Sequence, residues 1–108
     1  MFEGNVVELK MEKLLLEREE MDMKRYRAGA IMYDESNESV YLKLEEGELT
    51  DLSLDAVYEC QLFMEEETVL WSGVITKRYC SNVGKMLYMK IISGFFNQLH
   101  EDKYVTIK

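Results

Sequence analysis

Between Val69 and Ile92, apolar residues fall at every second position on both sides of a short polar break, and this pattern restricts the fold more than any other feature. The run V-L-W-S-G-V-I-T-K-R-Y-C leads into S-N-V-G and then K-M-L-Y-M-K-I-I. A period of two marks a strand with one face in a core and the other in solvent. The stretch therefore predicts two long strands joined by a tight turn. Val69, Trp71, Gly73 and Ile75 share one face, and Ser72, Thr76 and Arg78 lie mostly on the other; Leu87, Met89 and Ile91 run back. Asn82-Val83-Gly84 offers the positive-φ positions that a short hairpin turn needs. Gly73 in mid-strand predicts a bulge or a sharp bend of the kind a closing barrel requires.

The same period extends over most of the chain after residue 24. Tyr26, Ala28, Ala30 and Met32 point to one face before the polar turn Asp34–Glu38. Val40, Leu42 and Leu44 alternate with Tyr41, Lys43 and Glu45. Tyr58, Cys60, Leu62 and Met64 alternate with Glu59 and Gln61, and Glu65–Glu67 reads as a solvated hairpin loop. Between these strands, Leu49, Leu52 and Leu54 are expected to pin a connection across a barrel end. Before residue 24 two patterns compete. Leu9, Lys13, Leu16 and Glu20 follow at helical steps, whereas Val7, Leu9 and Met11 alternate as in a strand, which favours a first strand near Asn5–Met11. The reading is a mainly β chain: one small antiparallel β-barrel over residues 1–108, of about five to seven strands with little helix. Closure hides the edges of apolar strands that would otherwise pair with other chains.

Composition narrows the functional classes. No run approaches the roughly 20 apolar residues of a membrane helix. Glu3, Glu8 and Glu12 occupy a region where a signal peptide is basic and then apolar, so a cytoplasmic location is expected. Cys60 and Cys80 lack metal-ligand spacing and read as reduced core or near-core thiols. With His100 the only histidine, neither a histidine metal site nor a nucleophile–histidine pair is expected, and no cofactor is assigned. No carboxylate is flanked in a way that implies burial and a raised pKa, so no catalytic acid or base is assigned.

A net charge of −8 argues against general nucleic-acid binding. Yet from Thr68 to His100 there is no acidic residue, while Lys77, Arg78, Lys85 and Lys90 all fall there. These four form a candidate basic patch for an anionic ligand or an acidic partner surface; the alternative is a solvated face whose lysines discourage edge pairing. Lys24, Arg25 and Arg27 around Tyr26 form a second cluster, suited to clamp a phosphate or to pair with nearby Glu19, Glu20 and Asp22. Phe95 and Phe96 are adjacent at a strand end and must point to opposite faces, which makes them candidates for contact with another chain, including a homodimer partner.

The order of these signals resembles the PilZ-type split barrels, and most of all the non-canonical N-terminal domain of bacterial flagellar brake proteins that respond to cyclic di-GMP. The resemblance rests on R-Y-R-A-G-A-I-M-Y (Arg25 to Tyr33), V-Y-L-K-L-E-E-G (Val40 to Gly47) and D-A-V-Y-E-C-Q-L (Asp55 to Leu62). W-S-G-V-I-T-K-R-Y (Trp71 to Tyr79) and I-I-S-G-F-F (Ile91 to Phe96) complete it. It is a strand pattern rather than a diagnostic motif. Ligand-binding PilZ domains hold the dinucleotide with an R-x-x-x-R segment and a D/N-x-S-x-x-G segment. Asp51-Leu-Ser53-Leu-Asp-Ala56 resembles the second with Ala in place of Gly, and Lys24, Arg25 and Arg27 loosely match the first without its three-residue gap. The resemblance implies a degenerate module whose relatives bind protein or lean on a ligand-binding companion domain.

The function expected is thus a non-enzymatic bacterial binding or regulatory module, acting by protein–protein contact or self-association in cyclic di-GMP-linked signalling or motility. The alternative is a sensor that holds a cyclic dinucleotide directly through Arg25, Arg27, Asp51 and Ser53.

Overall fold

A computed structural model describes residues 2–16 and 20–94. Among these residues there are six strands: β1 (Val6–Leu14), β2 (Arg25–Asp34), β3 (Ser39–Leu44), β4 (Ala56–Phe63), β5 (Thr68–Ser81) and β6 (Gly84–Ser93). They close into an antiparallel barrel in the order β1-β2-β3-β6-β5-β4, with β4 pairing back onto β1. The mainly β, closed-barrel reading is what the structure shows. For the first segment the strand pattern prevails over the helical one, because Val7, Leu9 and Met11 enter the core while Glu8 and Lys10 face outward between β2 and β4.

Alternation builds the core. Leu9 is opposite Tyr26 on one side and Cys60 on the other, and all three are buried. Val40, Leu42 and Leu44 from β3 meet Leu87, Met89 and Ile91 from β6, with Tyr58, Leu62, Trp71 and Ile75 closing the opposite wall. At about 25 cal/mol per Å² of apolar surface removed from water, burial of this kind is the main driving force for the fold.

Where the alternation breaks, a bulge is responsible. The β2–β3 register shifts between Ala30 and Met32, so Met32 turns outward and is 51% exposed, against the expectation that it continues the Tyr26–Ala30 face. Tyr33 packs against the core in its place. A second shift between Ser72 and Gly73 realises the bend expected at Gly73, and a third follows between Ile75 and Lys77. Extra residues of this kind sharpen the local twist, which a small barrel needs in order to close. The β5–β6 turn uses Asn82 and Val83, but among its residues only Gly84 has a positive φ, at +132°.

Four of the six neighbouring pairs in this ring are consecutive in the chain, but β3 and β4, also consecutive, stand diametrically apart. Their connection, residues 45–55, must therefore cross a barrel end. It does so through a 3₁₀ turn at Leu49–Asp51, closed by reciprocal capping between Glu48 and Asp51. Leu52 is fully buried beneath it and Leu49 packs on the core, whereas Leu54, expected to help pin the crossing, is 38% exposed.

Candidate interaction surface

Strand β5 is much longer than its neighbour β4. Their pairing ends at Val57 and Val74, yet β5 continues to Ser81, bonded on that stretch, among the described strands, to β6 alone. From Thr76 to Ser81 every residue is exposed. The second edge of this projecting hairpin faces the space into which β4 would have run had the chain not turned at Asp55.

Alternation sorts the hairpin's cations between two faces. On one face, Arg78 donates from Nη1 to the carbonyl oxygens of Leu49 (3.3 Å) and Leu52 (2.5 Å). On the same side, Lys85 Nζ donates to Gly47 O and pairs with Glu48, both at 2.9 Å. Arg78 and Lys85 converge on the protein's own crossing loop, which they tie to the hairpin. The opposite face is different. Tyr41 of β3 and Tyr88 of β6 meet with ring centroids 4.6 Å apart, and Lys77 Nζ sits 5.7 Å over the Tyr88 ring. Lys43 lays its stem over Gly84, where a Cβ would come within 2.9 Å of Lys43 Cε. Lys90 lies exposed beside Ser39 and Val74. Among the described residues, Lys43, Lys77, Arg78 and Lys90 make no ion pair. Also on this face, the Asp34 carboxylate accepts hydrogen bonds from Asn37 (2.8 Å) and the Tyr88 hydroxyl (3.0 Å). Those two donors hold its carboxyl below the ordinary range.

The residues expected to grip a dinucleotide are divided. Arg25 and Arg27 line a hollow of about 120 Å³ with Glu8 and Glu46, and Arg25 lies 3.7 Å from the Glu8 carboxylate. Asp51 and Ser53 line another, of about 320 Å³, with Asp55 and Arg78. Lys24 borders neither; its Nζ stands 5.8 Å over the Tyr26 ring. Asp51 and Ser53 also serve local turns: Asp51 Oδ2 accepts from Glu48 N and Ser53 Oγ from Asp55 N, both at 2.9 Å. Ser53 N donates in turn to the Tyr58 hydroxyl at 2.8 Å. Phe95, Phe96 and His100 lie outside the described residues.

The titratable groups with the largest displacement are structural. Burial, and then the hydrogen bond to Asp22, push the Tyr26 hydroxyl far above its ordinary value. Burial does the same to the Cys60 thiol, which rests 3.5 Å from Met89 Sδ. Cys80 departs from the expectation of a core or near-core thiol: it lies on the projecting part of β5 and is exposed. Among the described residues, no group of three or more His, Cys, Asp or Glu side chains is placed to hold a metal ion. Nor is any described helix long and apolar enough to cross a membrane.

Comparison with known proteins finds no matching family model, no matching curated protein and no matching solved structure. The barrel, the projecting hairpin and its chemistry are thus the ground for a functional reading.

Proposed function

We propose that this chain is a non-enzymatic, cytoplasmic binding module of PilZ-like type that works through protein–protein contact or self-association at its β5–β6 hairpin, in cyclic di-GMP-linked regulation. One observation carries the reading: β5 outruns β4 by the stretch Ile75–Ser81, leaving a strand edge beside cations that no described carboxylate neutralises. Where the strands pair on both sides, closure of the ring removes the edges on which chains pair; shorter overhangs remain at the end of β1 beyond Lys10 and of β2 beyond Ala30. An edge kept open in such a fold is a natural place for another backbone, and uncompensated charge beside it favours encounter with a partner of opposite sign.

Site-specific photo-crosslinking in the producing cells tests this. A benzophenone side chain at Tyr79, on the hairpin, is expected to give a discrete protein adduct, and one at Glu66, in the loop at the other end of β5, is expected to give none. Adducts at neither position, or equally at both, would refute the proposal. Titration with labelled cyclic di-GMP is the companion assay. Saturable micromolar binding that disappears in Arg27→Ala would move the function to direct sensing through Arg25, Arg27, Asp51 and Ser53.

A further inference from the structure

We infer that the free edge of β5, from Ile75 to Ser81, takes up an extended partner segment as an added strand, and that this segment carries acidic residues at alternate positions with uncharged residues between them. The inference rests on the proposed role of the hairpin and names the chemistry of its partner. Three features support it. First, apart from the β6 ladder, no backbone group from Ile75 to Ser81 bonds to the backbone of any described loop. An antiparallel pair leaves alternate residues of each strand pointing their N–H and C=O away from the partner, so this edge presents a ready row of donors and acceptors. Second, a hollow of about 320 Å³ bounded by Asp51, Ser53, Asp55 and Arg78 adjoins β5 at Arg78, beyond the point where its pairing with β4 ends.

Third, the two faces of the edge differ in charge. On the Tyr88 side stand Lys77, with Lys43 and Lys90 on the same sheet face, and the carboxylate of Asp34 there already accepts two hydrogen bonds. On the other side Arg78 is committed to Leu49 O and Leu52 O, and Asp51 and Asp55 face it across the hollow. Side chains of an added strand alternate between these faces. Those beside Lys77 gain from negative charge, and those beside Asp51 and Asp55 lose by it. The same arrangement disfavours a second copy of this edge as the occupant, since antiparallel self-pairing centred on this stretch brings Lys77 and Arg78 of one copy close to those of the other.

The probe is a fluorescent seven-residue peptide that alternates glutamate with threonine, compared with its lysine–threonine counterpart on the full chain. The acidic peptide is expected to bind about tenfold more tightly, with an advantage that shrinks as salt is raised. Lys77→Glu, an exposed substitution, is expected to abolish or invert that preference without shifting thermal unfolding. By NMR, amides of residues 76–81 that do not bond to β6 should exchange freely in the unbound chain and slow when the acidic peptide is added. Equal binding of both peptides would overturn the inference, as would binding that leaves those amides unchanged. So would edge amides already protected in the free chain: protection that rises with protein concentration would identify a second copy as occupant, and concentration-independent protection the chain itself. Any of these results together with Tyr79 crosslinks would remove strand addition while leaving the protein-contact role standing.

Discussion

Gly73 is a mid-strand position where the barrel leaves no room for a side chain. An alanine Cβ built there would stand 2.7 Å from both Cγ and Sδ of Met89, and 2.8 Å from the carbonyl oxygen of Lys90. Met89 is fully buried, and the Lys90 oxygen belongs to the backbone of the paired strand, so neither can simply swing aside. The φ of Gly73 lies outside the left-handed region, so Gly73→Ala carries a steric cost and no conformational one. Inserting a methyl into a packed core costs about 1–3 kcal/mol. Restricting the unfolded chain returns about 0.4–1 kcal/mol. The expected result is a net loss of about 1–2 kcal/mol. With a urea m-value of roughly 1–3 kcal/mol/M for a small protein, the midpoint should fall by about 1 M at unchanged m. Trp71, the single tryptophan and almost wholly buried, reports the transition by fluorescence. Because Met89 is the shared neighbour, Gly73→Ala combined with Met89→Ala should be less destabilised than the sum of the two single changes. A midpoint for Gly73→Ala at or above that of the parent, or strict additivity in the double variant, would refute this account of the bend.

Three further outcomes follow from individual contacts. Arg78→Ala strips two loop carbonyls of their donor, so stability should drop by about 1–3 kcal/mol and amide exchange should accelerate across residues 49–55; unchanged exchange there would mean the guanidinium does not hold the crossing. Native protein should react with one equivalent of a thiol reagent, at Cys80, and with a second only after unfolding exposes Cys60; mass spectrometry of the labelled chain decides. Tyr26, Tyr33 and Tyr58 all have hydroxyls pushed above their ordinary value of 10.0, in each case first by burial. Below about pH 10 both folded and unfolded chains keep these protons, and the groups' contribution to stability is complete. Above it the unfolded chain ionises first, so the urea midpoint should decline as pH climbs toward the folded values; a midpoint unchanged between about pH 9 and pH 11 would contradict the assigned burial.

Much of the barrel was written in the period of two. The faces of β3, β4, β6 and the first half of β5 could be read residue by residue, because burial on one side only leaves an alternating signature. The breaks were harder. Gly73 announced its bend, since a missing side chain in mid-strand has few other uses, but nothing in R-Y-R-A-G-A-I-M-Y distinguishes Ile31 as the residue at which Met32 turns outward. Register depends on both strands of a pair, and one strand's sequence holds only half of that information. The candidate site was legible in part. The absence of acids from Thr68 to His100 marked the hairpin, and Arg78 and Lys85 were placed in its basic patch. That both would be spent on the crossing loop required knowing that β3 and β4 stand on opposite walls, which is a property of the whole ring. The Tyr41–Tyr88 contact was hidden for the same reason: it joins strands far apart in sequence whose adjacency only the topology supplies.

The inequality between β4 and β5 belongs to the ring: β4 pairs with β5 only as far as Val74, while β5 runs on to Ser81. In an open sheet the surplus would merely fray. In a closed ring the remaining neighbour, β6, holds the surplus as a rigid ribbon, with Arg78 and Lys85 bracing it against the loop that plugs the barrel end. The same residues that stabilise the crossing therefore keep the neighbouring edge extended and accessible. A partner strand would meet a backbone already ordered, so little conformational entropy remains to be lost on this side of the interface. Loosening the brace with Arg78→Ala should then weaken peptide binding even though Arg78 lies on the face turned away from Lys77. If affinity instead stays constant while the loop loosens, the edge does not depend on the plug for its order.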